Sequence, residues 1–154
     1  MVEVVDVGPQ IVLSKSAVGK YEQIGVLIGE LFGFAMSRGA KIAGPPTFIC
    51  YENSAEESER ANREGNAKIE VALPVAEYLQ DTGDIKCYEL QGGQMAKAVH
   101  KGPYEQCGSA YEALFTWIAQ NEKQITGHPR EVYLNDPHEV PPEEILTEIY
   151  APIS

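Results

Sequence analysis

Apolar and polar positions along this chain change period several times, and the changes come in a repeating order. VEVVDV at Val2–Val7 runs in the short-period pattern of a strand, Gly8-Pro9 breaks it, and QIVLSKS at Gln10–Ser16 resumes extended character. Two apolar runs around such a break are a hairpin signal. The same order returns with IKCYEL at Ile85–Leu90, the Gly92-Gly93 turn, and QMAKAVH at Gln94–His100.

The period then lengthens. Between Tyr21 and Arg38, Ile24, Leu27, Ile28, Leu31 and Ala35 fall on one face of a helix, and Cys107, Ala110, Tyr111, Leu114 and Ile118 repeat that spacing. KIAGPP and QITGHP, each with glycine and proline, end the two helices. Two further strands are expected in each half, near Thr47–Glu52 and Lys68–Ala72, and near Arg130–Leu134 and Leu146–Tyr150. ENSAEESERANREGN, at Glu52–Asn66, is highly charged and without apolar periodicity, so a mobile surface loop is expected there.

Residues as well as patterns recur. YEQIG at Tyr21–Gly25 matches YEQCG at Tyr104–Gly108 at an offset of 83 (104 − 21), and the same offset sets Gly19 on Gly102, Leu31-Phe32 on Leu114-Phe115, Phe34 on Trp117, and Pro46 on Pro129. Past Asn53 an offset of 78 (148 − 70) restores the match, with IEVALPV against TEIYAPI. The economical reading is one domain over residues 1–154, built from two repeats at about 1–75 and 84–154 and linked through Val75–Asp84.

Composition narrows the class. With 154 residues, 44% of them hydrophobic, the chain is long enough to bury a substantial core. A net charge of −11 disfavours direct nucleic-acid binding, which draws on Lys and Arg, and leaves cations and basic partners open. No run of about 18 apolar residues is present to span a membrane. The start, MVEVVDVGPQ, lacks a signal peptide's blocks, so a cytoplasmic location is expected. Cys50, Cys87 and Cys107 form no C-x-x-C pair and read as reduced core residues. His100, His128 and His138 have no metal-ligand spacing, and neither a metal nor a cofactor is expected.

Three features carry candidate chemistry. Gly25, Gly29 and Gly33 recur every four residues on one stripe of the first helix, where each costs about 1 kcal/mol against alanine. Close packing or a groove wall would account for them. Glu70 and Glu148 each stand mid-strand among apolar neighbours; strand alternation puts Glu70 on a face with Lys68, where solvation is expected, and Glu148 with Leu146 and Tyr150, where an aromatic pocket is an equal prospect. Aromatics are plentiful, and a carboxylate among aromatic faces suits a lipophilic cation.

The stretch GDIKCYELQGGQMAKAVHKGPYEQCGSAYEALFTWIAQN, with GHPREVYLNDPHEVPPEEILTEIYAPI after it, resembles the GyrI-like small-molecule-binding domain, the effector-binding part of AraC-type and MerR-type multidrug regulators. The resemblance rests on His100, Gly102-Pro103-Tyr104, Trp117, Tyr133, Asp136-Pro137, and Glu148 ahead of Pro152-Ile153. It implies an α+β fold of two β-α-β-β modules of SHS2 type, related by a pseudo-twofold axis, with a curved antiparallel sheet and two main helices flanking a central cleft. It also implies that a glutamate among aromatics meets lipophilic cations or planar aromatic compounds. The motif match assigns that role to Glu148, with Trp117 and Tyr133 as walls and Tyr150 and Phe34 as further ligand-binding candidates. Tyr104 would face the cleft or pack at the helix start.

No segment is left over for a helix-turn-helix, so the resemblance is to stand-alone members. Two other functions follow from those relatives. One is hydrolysis of cyclopropane-bearing xenobiotics with Glu148 as the base. The other is modulation of DNA gyrase by an acidic protein surface.

Overall fold

The computed structural model describes residues 1–154, and it contains eight strands and three α-helices: β1 (Glu3–Val7), β2 (Gln10–Gly19), α1 (Gln23–Ser37), β3 (Thr47–Cys50), α2 (Ala55–Glu64), β4 (Ala67–Pro74), β5 (Ile85–Leu90), β6 (Gly93–Lys101), α3 (Gly108–Gln120), β7 (Arg130–Tyr133) and β8 (Leu146–Pro152). The class is α+β, and every strand pairing within the units below is antiparallel. No helix is long and apolar enough to cross a membrane.

Two compact units divide the chain, and their limits are not those of the sequence repeats. One comprises residues 9–91, the other residues 1–8 together with 92–154. In the first, the strands run in the order β3-β4-β2-β5; in the second, β1-β6-β8-β7. The hairpins expected across Gly8-Pro9 and Gly92-Gly93 are therefore not formed. β1 pairs with β6, Val5 opposite Met95, and β2 pairs with β5, Val12 opposite Tyr88. A two-residue hairpin turn needs positive φ at its first central residue, and neither Gly8 nor Gly92 has it. The strands on either side of each glycine instead belong to different units. Gly92 passes directly over the end of β1, so a Cβ there would lie 1.9 Å from the Val7 carbonyl oxygen.

In the first unit, α1 buries Leu27, Leu31 and Ala35 and packs on β4 and β2. Its glycine stripe has no close neighbour: a Cβ added at Gly25, Gly29 or Gly33 would meet nothing within 4 Å, so tight packing does not account for these residues. The charged segment expected to be a loop contains α2. Ser54 Oγ accepts the Glu57 amide at 3.1 Å and Glu57 Oε2 accepts the Asn53 amide at 3.0 Å, a reciprocal cap at the helix start. Gly65, at φ 70°, ends the helix in the left-handed conformation that glycine adopts without strain.

In the second unit, Leu114 and Ile118 of α3 pack on Ala96, Ala98, Ile149, Ala151 and Ile153. Thr147, Ile149 and Ala151 of β8 are buried, while Leu146, Glu148 and Tyr150 alternate with them as half-buried residues on the opposite face. This alternation decides which side chains meet α3 and which do not.

Candidate functional site

β7 is short, and its register fixes the site. Glu131 lies opposite Ile149 and Tyr133 opposite Thr147, so both side chains share the α3-facing side of the sheet. Above them, α3 supplies Tyr111, whose hydroxyl donates to Glu131 Oε2. The Tyr133 hydroxyl donates to Oε1 at 3.0 Å. Tyr104 comes from the short 3-10 turn Tyr104–Gln106 and stands edge-on to Tyr133, ring centroids 5.3 Å apart at 75°. That turn is held in place from below. Gly102 takes a φ of 132°, its amide donates to the Ile145 carbonyl at 2.7 Å, and His100 Nε2 lies 2.9 Å from the Pro103 carbonyl oxygen.

The electrostatics follow from the enclosure. Taking the Glu131 carboxyl out of water pushes its pKa above the usual carboxylate range, while hydrogen bonds from Tyr111 and Tyr133 and the nearby His100 pull it partly back. No lysine or arginine pairs with this carboxylate. Burial and the neighbouring Glu131 hold the Tyr133 phenol well above its ordinary value, and burial raises that of Tyr104. Burial likewise pushes the Cys107 thiol up to about 12, so it stays protonated and non-nucleophilic. Tyr104, 36% exposed, is the solvent-facing member of the group.

Comparison between the repeats separates what the fold requires here from what it does not. At the 83-residue offset Glu131 corresponds to Phe48, and Tyr104 to Tyr21. Phe48 is 3% exposed and Tyr21 stands edge-on to it at 5.9 Å. One repeat thus fills the position with an apolar ring. The other places a carboxylate there, where burial without a cation is costly unless hydrogen bonds offset it.

The residues singled out in the sequence are distributed unevenly around this group. Tyr104 and Tyr133 belong to it. Glu148 does not: it lies on the far face of the sheet from α3, where Lys97 Nζ binds it at 2.7 Å and the Tyr150 hydroxyl at 2.9 Å. Lys97 also stands 5.8 Å from the centre of the Tyr150 ring. Glu148 therefore shares no pocket wall with Tyr133 or with Trp117, which is on α3. Trp117 is half-buried and borders an open groove of about 460 Å³ with Val2, Ser109, Glu112, Ala113, Thr116 and Gln120. Phe34 lies in the other unit, on α1, beneath the Arg38 guanidinium at 4.8 Å. Glu70 is not solvated as expected; it is 7% exposed. Sequence reasoning missed Glu131 and Tyr111. The available signal was the offset itself, which sets a glutamate against a phenylalanine inside an otherwise matching strand.

The chain is thus an antiparallel α+β scaffold with a carboxylate set among phenols. A family model described as the GyrI-like small molecule binding domain matches residues 1–154, and the chain belongs to that family. Its fold is similar to the crystal structure of the EcmrR C-terminal domain, with a TM-score of 0.88 at 22% identity over 100% of this chain and 97% of that one. A hydrolase from Listeria innocua superimposes with a TM-score of 0.72 at 15% identity, covering 99% of this chain and 91% of that one. SAV2435 bound to tetraphenylphosphonium gives 0.58 at 11% identity, covering 100% and 94%. No curated protein matched the sequence.

Proposed function

We propose that this member of the family binds lipophilic organic cations, with Glu131 as counter-ion and Tyr104, Tyr111 and Tyr133 as the aromatic surround. The observation that carries this reading is a desolvated carboxylate with hydrogen-bonded phenols and no lysine or arginine paired to it, at a position the other repeat fills with Phe48. A bound cation would supply the missing charge, and the ring faces would attract it further. The net charge of −11 favours approach of cations from solution. A relative of the same fold holds tetraphenylphosphonium, a ligand of this chemistry.

The test is a titration with tetraphenylphosphonium and with triphenylphosphine oxide as a neutral comparator, read by calorimetry. Glu131→Gln is expected to weaken the cation about tenfold or more, a loss of roughly 1.4 kcal/mol, and to leave the neutral compound little changed. Equal loss for both compounds, or none for either, would overturn the reading. Glu148→Gln is expected to have little effect, because Lys97 already neutralises that residue. Hydrolysis is a second reading, favoured by the hydrolase of similar fold and by the raised Glu131 pKa, which suits a general base better than a carboxylate paired to lysine. Mass analysis of each mixture distinguishes the two, since a binder returns its ligand intact.

A further inference from the structure

The two repeats treat their other glutamate differently, and the difference defines a vacancy of charge. Glu70 and Glu148 are equivalent at the 78-residue offset, and the register agrees: Glu148 lies opposite Val132 and Val99, Glu70 opposite Ile49 and Ser16. Lys97, which binds Glu148, is equivalent to Ser14. Around Glu70 the partners are three neutral hydroxyls. Ser14 Oγ donates to Oε2 at 2.6 Å, the Tyr88 hydroxyl donates to the same oxygen, and the Tyr51 hydroxyl donates to Oε1. No ammonium or guanidinium pairs with it. Lys86, opposite Ser14, and Lys68, two residues before Glu70, are both exposed and make no ion pair with it.

We propose that Glu70 marks a second cation subsite, for a protonated primary amine with the dimensions of a lysine side chain, and that Lys97 is the built-in occupant of the corresponding subsite at Glu148. A carboxylate offers about four acceptor positions, of which the hydroxyls use three, and one on Oε1 is left for an N–H donor. Tyr51 and Tyr88 set aromatic rings beside the carboxylate through their hydroxyl contacts, and at Glu148 the Tyr150 ring stands beside Lys97. This subsite needs an N–H-bearing head group, so it differs in chemistry from the Glu131 surround and does not depend on it.

The probe is n-butylammonium chloride, in effect a free lysine side chain, titrated against the 15N-labelled protein with sodium chloride and n-butanol as controls. Saturable amide shifts at Ser14, Glu70 and Tyr88 are expected with butylammonium alone, and at least about tenfold weaker binding in Glu70→Gln. Lys97→Ser is expected to create a second saturable response at Glu148 and Tyr150. That variant alters a half-buried pair in the other unit, so it decides the matter even where Glu70→Gln does not fold. Shifts at Glu70 equal to those with sodium chloride, or no new response in Lys97→Ser, would overturn the proposal. Binding at Glu131 is read separately, at Tyr133 and Tyr111.

Discussion

Glu131 costs more in its charged form than in its protonated form, and that inequality makes it titrate visibly. Its folded pKa is raised, so the native state holds the proton more tightly than the unfolded chain does. The resulting stabilisation is complete below the unfolded carboxylate value and is lost as pH rises through the folded one. Between about pH 4 and pH 8, the stability of Glu131→Gln relative to wild type should therefore rise with pH, as read from urea midpoints. A pH-independent difference would count against a desolvated carboxylate. Cation affinity of the wild type should increase over the same range, as Glu131 ionises. His100, Tyr104, Cys107, Tyr111 and Tyr133 surround it, and the raised Tyr104, Tyr133 and Cys107 keep their protons across this range. Half of this group was legible beforehand. Tyr104 and Tyr133 stood out as aromatics near a motif, whereas Glu131 sat in REVY, a stretch whose strand pattern is unremarkable until its facing residues are known.

The helices show what periodicity captures and what it does not. α1 and α3 were readable because each buries a stripe of large apolar side chains. α2 buries only Ala61, so no apolar rhythm announces it, and its order comes from end chemistry instead. The signal was present in Ser54 followed three residues on by Glu57. Ser54→Ala should accordingly cost about 1 kcal/mol in chemical denaturation. For α1 the expectation has the opposite sign. Gly29→Ala and Gly33→Ala place a methyl where nothing lies within 4 Å, and each should stabilise the protein by up to about 1 kcal/mol in thermal melts. A loss of stability at either position would mean that the stripe is occupied in solution.

At the scale of the molecule, strand existence was readable and strand partnership was not. β1, β2, β5 and β6 carry the same local pattern whether they fold back on their neighbours or pair with a distant strand. Neither Gly8 nor Gly92 takes the positive φ that a two-residue hairpin turn needs at that position. The two positions should respond very differently to the same change. Gly92→Ala drives a Cβ into the Val7 carbonyl and should cost roughly 2 kcal/mol or more, while Gly8→Ala meets open space and should stay within about 0.5 kcal/mol of wild type. Comparable melting temperatures for both variants would contradict the crossing described. Because each unit takes its edge strand from the other repeat, the chain has the connectivity of a strand-swapped homodimer that has been joined end to end. A true homodimer would be bound to carry two identical sites. Fusion removes that constraint, so one copy can carry phenylalanine and serine where the other carries glutamate and lysine.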